Sequence, residues 1–212
     1  MSKSKNTANV RRKYDRIANY YDFFENEVEK RLFRKFRRGM LGSLSGKILE
    51  IGVGTGKNFP YYNKKAKVTA IDISPNMLER AKIRAKDLGL EVRFYLMDAQ
   101  NLDFPDNQFD HIVATFLLCS VPDPVETVKE MKRVLKYDGR ILLIEHVLSK
   151  NKLIALLEHI HNPFTRAFFG FNINRDTKSN IRKAGVKIQK DENLAFFDVF
   201  RKFTCAENRN CS

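Results

Sequence analysis

The chain has 212 residues, which is enough for one α/β domain with a hydrophobic core and short for two. Hydrophobic residues make up 43% of it and charged residues 30%, as in ordinary globular proteins. Its longest apolar stretches are about half as long as a bilayer span requires, so we expect no membrane-spanning helix.

The charge of the chain is strongly basic and unevenly spread. The formal net charge is +14, and residues 1–38 carry twelve Lys or Arg against five Asp or Glu. Such an excess attracts nucleic acid or an anionic membrane face, although a solvated charged surface has the same composition. Three cysteines form no CxxC pair, and residues 1–13 are polar and basic. We therefore expect a cytoplasmic location, or a peripheral one on the inner face of the membrane.

The pattern of elements begins with helices and continues with alternating strands and helices. Residues 1–9 are predicted to be disordered, and two apolar sets at helical spacing follow up to Met40. The predicted strands are then Lys47–Ile51, Val68–Ile71, Val92–Met97, Phe109–Phe116 and Arg140–Val147. The predicted helices between them are Lys57–Tyr62, Pro75–Leu88 with Ser74 as N-cap, and Pro124–Leu135. Such alternation implies a parallel, doubly wound sheet.

The pattern changes after the fifth strand. A helix is predicted over residues 153–160, followed by an aromatic run of Phe164, Phe168, Phe169 and Phe171. A helix at Thr177–Lys183 then precedes two strands, Val186–Gln189 and Leu194–Phe203, which form a closing hairpin. The whole chain therefore reads as one domain with seven strands.

Glycines and carboxylates follow the first three strands. Gly52, Gly54 and Gly56 have GxGxG spacing between a strand and a helix, where a ligand can approach backbone N–H groups. Asp72 ends the second strand, twenty residues after Gly52, where a carboxylate can accept both ribose hydroxyls. Asp98 ends the third strand and is placed to accept from an adenine amino group. The alternative is that both carboxylates only cap loops.

These motifs resemble a known family. The stretches LEIGVGTG at 49–56, IDISPNML at 71–78 and DAQNLDF at 98–104 resemble class I S-adenosylmethionine (SAM) methyltransferases. They look most like the ubiquinone/menaquinone C-methyltransferases and the bacterial phosphatidylethanolamine N-methyltransferases. The resemblance implies a Rossmann-like α/β fold, with a mostly parallel seven-stranded sheet, helices on both faces, an N-terminal helical lid and a helical insertion after strand five. It also implies SAM as cofactor and S-adenosylhomocysteine as product.

The resemblance divides the chain and assigns roles. It implies a single domain with four parts: an N-terminal helical lid at 1–40, a cofactor-binding core at 41–150, an acceptor-side insertion at 151–180, and a closing hairpin and tail at 181–212. The glycines border the methionine moiety, Asp72 binds ribose, Asp98 reads adenine, and Met77 packs on adenine or simply in the core. The cofactor-binding residues that it implies are Glu50, Gly52, Gly54, Gly56, Asp72, Ile73, Met77, Asp98, Ala99, Thr115 and Phe116.

Candidates for catalysis lie in the lid and at the end of strand five. Residues 13–22 read KYDRIANYYD and look like the lid segment of the same group. Tyr14 and Tyr21 on such a helix would exclude water and contact the reacting groups, or would only pack in the core. His146 is the first candidate for accepting a proton from an amine acceptor, with a structural histidine as the alternative. We expect no metal site.

The acceptor is predicted from three further stretches. Residues 115–123, 145–147 and 170–177 are similar to phospholipid N-methyltransferases and resemble membrane-associated thiol methyltransferases. Phenylalanines of the insertion suit an amphiphile, Arg166 and Arg175 could bind its phosphate, and the basic helix 28–40 is of the type that lies on anionic lipid. The alternative is that both segments pack on the sheet as an ordinary lid.

We therefore expect N-methylation of an amphiphilic amine, such as phosphatidylethanolamine, at the membrane surface. Thiol or quinone methylation is the alternative, and RNA methylation comes after these. Enzymes that methylate amino groups of bases carry an Asn/Asp-Pro-Pro-aromatic motif after strand four, whereas residues 115–118 read TFLL. A regulator that binds SAM without turnover is a further alternative, and the oligomeric state is not set by the sequence.

Overall fold

The computed structural model of the protein describes residues 6–16, 33–168, 170–195 and 198–207. Several sequence-based predictions lie outside the described residues. They concern Tyr21, Phe169 and residues 28–32 of the predicted basic helix 28–40.

The described elements follow the predicted order. The helices are α1 (6–16), α2 (Arg34–Leu41), α3 (Pro75–Asp87), α4 (Pro124–Val134), α5 (Lys152–Phe168) and α6 (Thr177–Lys183), with a 3-10 turn at Phe59–Tyr61. The strands are β1 (Gly46–Ile51), β2 (Ala66–Asp72), β3 (Val92–Leu96), β4 (Phe109–Thr115), β5 (Leu135–His146), β6 (Val186–Ala195) and β7 (Phe200–Glu207).

The strands form one sheet in the order β3-β2-β1-β4-β5-β7-β6. The first five are parallel, whereas β7 pairs antiparallel with both β5 and β6. The order reverses between β1 and β4, where the loops that leave the two strands turn to opposite faces of the sheet. This is the point at which doubly wound sheets bind ligands. The predicted seven-stranded, mostly parallel sheet is confirmed.

Helices cover both faces of the sheet. Neighbouring residues of β4 show this, because Ile112 packs with α4 and α6 on one face and Val113 packs with α2 on the other. Helix α3 lies on the same face of the sheet as α2 and packs over β2. The buried side chains of the central strands are mostly aliphatic on both faces, with Glu50 and Glu145 as buried exceptions, as expected of a sheet covered on both sides.

Side chains cap the helix starts at the carboxyl edge of the sheet, and the predicted cap at Ser74 is confirmed. The Ser74 hydroxyl accepts a hydrogen bond from the Met77 backbone N–H at 3.1 Å, and Pro75 occupies the first turn of α3. Asp123 and Asp176 cap α4 and α6 in the same way. Each cap fixes the residue at which the helix begins, and this limits the movement of the loop that joins the strand to the helix.

Two boundaries near the sheet differ from the prediction. The expected helix at 57–62 is only the 3-10 turn Phe59–Tyr61. Strand β5 begins at Leu135 rather than Arg140, because the pairing with β4 shifts register between Phe109 and His111 and accommodates the turn-forming residues Asp138 and Gly139. Regular pairing then resumes at Arg140, where the prediction began.

The C-terminal elements also differ in their bounds. Strand β6 continues to Ala195 through polar residues, since register shifts and ion pairs such as Asp191 with Arg201 accommodate them. Helix α5 continues through Pro163 to Phe168 and includes Phe164 and Phe168, two of the four residues of the predicted aromatic run. At the other end of the chain, residues 6–9 are helical instead of disordered. No helix in the described ranges is both long and apolar enough to cross a membrane.

Candidate functional site

A cleft of about 700 Å³, counted to its open mouth, lies at the carboxyl ends of β1, β2 and β4. It occupies the position where the strand order reverses. The residues that line it are Val10, Tyr14, Ile51, Gly52, Gly54, Ile71, Asp72, Ile73, Met77, Met97, Asp98, Ala99, Thr115, Phe116, Leu117, Ser120, Val121 and Pro122. Most of the predicted cofactor residues therefore come together in one cleft.

The glycine loop forms the floor of the cleft. Gly52 donates its backbone N–H to the Ile71 carbonyl at 2.9 Å and has a φ of +69°. A Cβ there would lie 2.7 Å from Leu117 Cδ1, so a side chain would be strained and would displace the lining. Gly54 lines the cleft too, whereas Gly56 lies beneath it against the ring of Phe59.

The Asp72 carboxylate is held in place by backbone donors. Its Oδ2 accepts from the Gly54 N–H and its Oδ1 from the Ser74 N–H, both at 2.9 Å. Each oxygen keeps a lone pair for a further donor in the cleft. Burial raises the pKa of Asp72 above its ordinary value, and the two backbone donors oppose this by stabilising the charged form. The side chain is a rigid acceptor pair for two neighbouring hydroxyls.

The far end of the cleft is apolar with one carboxylate. Met77 is 1% exposed, so it lines the cleft and packs in the core at once. Ile73 and Ala99 lie nearby in the lining. Asp98 Oδ1 accepts from the Gln100 backbone N–H at 2.9 Å, which orients the carboxylate at the end of β3. A flat ring with an exocyclic amine fits this combination.

Helix α1 lies across the mouth of the cleft and is bound to both sides of it. The Tyr14 hydroxyl and Ser120 Oγ are 2.6 Å apart, and either can donate. On the other side, Ser74 Oγ donates to Asp15 Oδ1 at 2.5 Å. Thr7 Oγ1 accepts from Gln100 Nε2 at 3.2 Å. Of the predicted lid segment 1–40, residues 6–16 lie at the mouth of the cleft, and Tyr14 is part of its lining.

Phe116 forms an aromatic wall next to Thr115. It is a non-glycine residue in the left-handed region, with φ of 57°, which costs on the order of 1 kcal/mol. Its ring packs edge-on against Phe33 and Phe200, with centroids 5.0 and 6.0 Å away. Its backbone N–H donates to the Ile144 carbonyl at 2.8 Å. Packing and this bond hold the ring in the cleft despite the strain.

A buried polar network, which the sequence did not reveal, supports the glycine loop. Arg37 is 2% exposed and donates from Nη1 to Asn58 Oδ1 at 2.5 Å and to Thr115 Oγ1 at 3.0 Å. Asn58 in turn donates to Glu50 Oε1, and Tyr62 donates to Glu50 Oε2. Burial raises the pKa of Glu50 to about 7. Glu50 therefore lies beneath the loop, as the resemblance implies, and does not line the cleft.

A small polar hollow of about 300 Å³ adjoins the cleft. The residues that line it are Arg37, Gly52, Val53, Gly54, Thr55, Lys57, Asn58, Thr115 and Phe116. Four of these also line the main cleft, so the two spaces are continuous around the glycine loop. Arg37 and Lys57 make this end positive, which suits a carboxylate.

His146 does not line the cleft. Its ring packs against Phe200, with centroids 5.2 Å apart, and its Nε2 is 3.9 Å from Glu158 Oε1. Burial lowers its pKa to about 4, so the imidazole is neutral at pH 7. The preceding residue, Glu145, points to the cleft side instead, where its Oε1 accepts from the backbone N–H groups of Leu117 and Leu118 at 3.0 Å.

The two predicted phosphate-binding arginines also lie outside the lining. Arg175 donates from Nη2 to the carbonyl of Val121 at 2.9 Å and so supports the cleft wall from behind. Arg166 is exposed near the end of α5, where its carbonyl accepts from Lys13 Nζ. Within the described ranges, no group of three His, Cys, Asp or Glu side chains could hold a metal ion.

Comparison with known proteins agrees with this geometry. The family model described as "Methyltransferase domain" matches residues 49–143. A phosphatidylethanolamine N-methyltransferase of Cereibacter sphaeroides is 39% identical over 151 residues, 70% of this chain and 73% of the relative. A demethylmenaquinone methyltransferase of Staphylococcus haemolyticus is 36% identical over 166 residues, 76% and 68% of the two chains. A crystal structure of a SAM-dependent methyltransferase from Thermotoga maritima aligns with a TM-score of 0.69 at 20% identity, covering 93% of this chain and 99% of that one.

The sheet order and the cleft at its reversal define a doubly wound α/β protein with a ligand site at the carboxyl ends of its strands. The chain belongs to the SAM-dependent methyltransferases, and SAM is its cofactor. The residues present fit that group, since a rigid acceptor pair, an apolar ring site with a carboxylate, and a positive hollow follow one another along the cleft. When bound, SAM supplies a methyl group already activated by a sulfonium.

Proposed function

We propose that the protein methylates the nitrogen of an amphiphilic amine, with phosphatidylethanolamine as the leading acceptor, at a membrane surface. The observation that carries this is the relative named phosphatidylethanolamine N-methyltransferase, which is 39% identical over 70% of the chain. That span exceeds the matched methyltransferase domain, so the likeness is not confined to the cofactor motifs. The demethylmenaquinone relatives make quinone methylation the second candidate.

The proposed placement of the cofactor follows the chemistry along the cleft. Asp72 accepts both ribose hydroxyls, and Asp98 accepts from the adenine amine, with Ala99 and Met77 against the ring. The methionine moiety lies at the glycine loop, and its carboxylate faces the positive hollow beside Arg37. This assigns to Arg37 a role that the sequence did not suggest.

The chain's own contribution to methyl transfer is positioning and exclusion of water. An activated methyl group needs an acceptor held in line more than it needs a strong catalyst. Tyr14 and Ser120 offer two hydroxyls within the cleft, and we assign to them the hydrogen bond that orients the acceptor nitrogen. Their position supports them over His146, which lies behind Phe200. Arg166, exposed beside α1, remains the predicted phosphate contact.

Incubation with methyl-labelled SAM and phosphatidylethanolamine in neutral detergent micelles tests the proposal without requiring a membrane. The expected result is label in an extracted phospholipid that migrates as the N-methylated headgroup. Ser120→Ala, which keeps the fold and the cofactor residues, should lower kcat while the affinity for SAM changes little. Binding of SAM without any labelled phospholipid would refute the assignment of the acceptor.

A further inference from the structure

Helix α5 exposes an unusual apolar stripe. Six large apolar side chains occupy positions i, i+3, i+4, i+7, i+11 and i+15 of the helix and so lie on one face of it. They are between 55% and 74% exposed. The residues of this stripe are Leu153, Leu156, Leu157, Ile160, Phe164 and Phe168. A folded chain rarely leaves so continuous an apolar surface in water without a partner for it.

The opposite face of α5 is polar and is bonded to the protein. Glu158 is 6% exposed, and its Oε2 accepts from the Ser149 N–H at 2.9 Å. One turn later, Asn162 Oδ1 accepts from the Ile173 N–H at 2.9 Å. The usual orientation of an amphipathic helix is therefore reversed, with the polar face inward. Hydrogen bonds, rather than the stripe, attach the helix to the domain.

The charges around the stripe are basic. Between residues 150 and 168, Glu158 is the sole acidic residue, and it is buried. Lys150, Lys152 and Arg166 are exposed. Helix α1 is joined to the end of α5 by the bond from Lys13 Nζ to the Arg166 carbonyl, and it adds further exposed basic residues. These are Arg11, Arg12 and Arg16.

We propose that the stripe of α5 docks on an anionic lipid surface, with the helix lying in the plane of the headgroups. The apolar residues meet the acyl boundary, and the basic residues meet anionic headgroups, which is the complementarity that such a surface offers. A second copy of this chain would instead oppose like charges, because the net charge is +14 and the flanks of the stripe are basic.

Docking through α5 would also bring the cleft to the lipid. The end of α5 is bonded to α1, which lies across the mouth of the cleft. Just after α5, the Asn172 N–H donates to the Cys119 carbonyl at 2.8 Å, beside the lining residue Ser120. The inference rests on the proposed function only for the identity of the acceptor. It names the surface from which that acceptor enters.

Vesicle sedimentation tests the docking surface with one matched pair of variants. Ile160→Glu places a charge in the stripe, and Ile83→Glu makes the same change on α3, where the isoleucine is 56% exposed. Wild type should bind vesicles that contain phosphatidylglycerol, and bind phosphatidylcholine vesicles far less. Ile160→Glu should lower the partition coefficient at least about tenfold, and Ile83→Glu should leave it unchanged. Phe164→Ser, which adds no charge, should also weaken binding.

Three results would overturn the docking proposal: no binding of wild type to anionic vesicles, unchanged binding of both stripe variants, or a dimer that Ile160→Glu converts to a monomer. SAM affinity of each variant confirms that it is folded. Activity on phosphatidylethanolamine in neutral micelles separates this inference from the proposed function. If vesicle binding behaves as expected and micellar lipid is not methylated, the acceptor assignment fails and the docking surface stands.

Discussion

At the scale of single residues, the proposed cofactor site contains a carboxylate whose orientation is already fixed by the fold. Asp72 accepts from two backbone N–H groups, so its orientation is set before any ligand arrives. Binding of a ligand therefore does not carry the entropy cost of ordering this side chain. We expect this one residue to contribute more to affinity for SAM than any other side chain in the cleft.

Asp72→Ala should lower the affinity for SAM at least about tenfold. The reason is that charge-assisted hydrogen bonds of this kind contribute roughly 1.5–3 kcal/mol each. Calorimetric titration measures the change, with Asp87→Ala as the control, because Asp87 is an exposed aspartate at the end of α3. Equal affinities in the two variants would remove Asp72 from the site.

At the scale of elements, helix α1 acts on the cleft without belonging to the core. None of the buried core side chains of the described residues belongs to α1. Its attachment consists of hydrogen bonds at the mouth of the cleft, such as Tyr14 to Ser120 and Ser74 to Asp15. An element held in this way can open without unfolding the domain.

Deletion of residues 1–16 should therefore leave a folded domain that binds SAM more weakly and turns over poorly. Water then reaches the cleft, and the acceptor loses the Tyr14 hydroxyl. Circular dichroism reports the fold, and labelled product reports turnover. Tyr14→Phe is the control that keeps the helix and removes one hydroxyl, so its loss should be smaller. Full activity of the deleted chain would contradict the lid.

The sequence predicted those parts of the site that are local to a strand end. The glycine loop, Asp72 and Asp98 each follow a buried strand directly, and parallel strands bring such ends to one edge. Arg37 and Ser120 could not be predicted in the same way, since their partners Thr115 and Tyr14 are 78 and 106 residues distant. Such contacts depend on how helices pack over the sheet, which no local pattern encodes.

His146 shows a second limit of prediction. Side chains alternate along a strand, so either Glu145 or His146 could have faced the cleft side. The pairing of β5 with β7 places the imidazole against Phe200 and leaves the carboxylate under the loop after β4. The same uncertainty applies to α5. Its apolar residues at helical spacing could be recognised in the sequence, but the sequence did not show that they face solvent.

At the scale of the whole molecule, buried carboxylates make stability depend on pH. Burial raises the pKa of Glu145 to about 8 and that of Glu50 to about 7, from a usual value of 4.5. Because the folded state binds these protons more tightly, their contribution to stability is fully present below pH 4.5. It is lost as the pH rises through 7 and 8.

Glu145→Gln should remove much of this loss, because the amide oxygen can still accept from Leu117 and Leu118 and carries no charge. The free energy of unfolding of the variant should gain on wild type by up to about 1.4 kcal/mol per pH unit between pH 5 and 8. Urea denaturation at both pH values measures the difference. Glu79→Gln, at an exposed glutamate of α3, serves as the control. Equal pH dependence of the unfolding free energy in all three proteins would show that burial does not raise the pKa of Glu145.

A competition between acceptors tests the proposed choice of acceptor most directly. Methyl-labelled SAM is given to the protein with phosphatidylethanolamine, a demethylated menaquinone and an alkyl thiol together in neutral micelles, and the label in each product is counted. We expect kcat/KM for phosphatidylethanolamine to exceed kcat/KM for the quinone and for the thiol at least about tenfold, a difference of about 1.4 kcal/mol in transition-state stabilisation. A higher kcat/KM for the quinone or the thiol than for phosphatidylethanolamine would contradict the proposed acceptor.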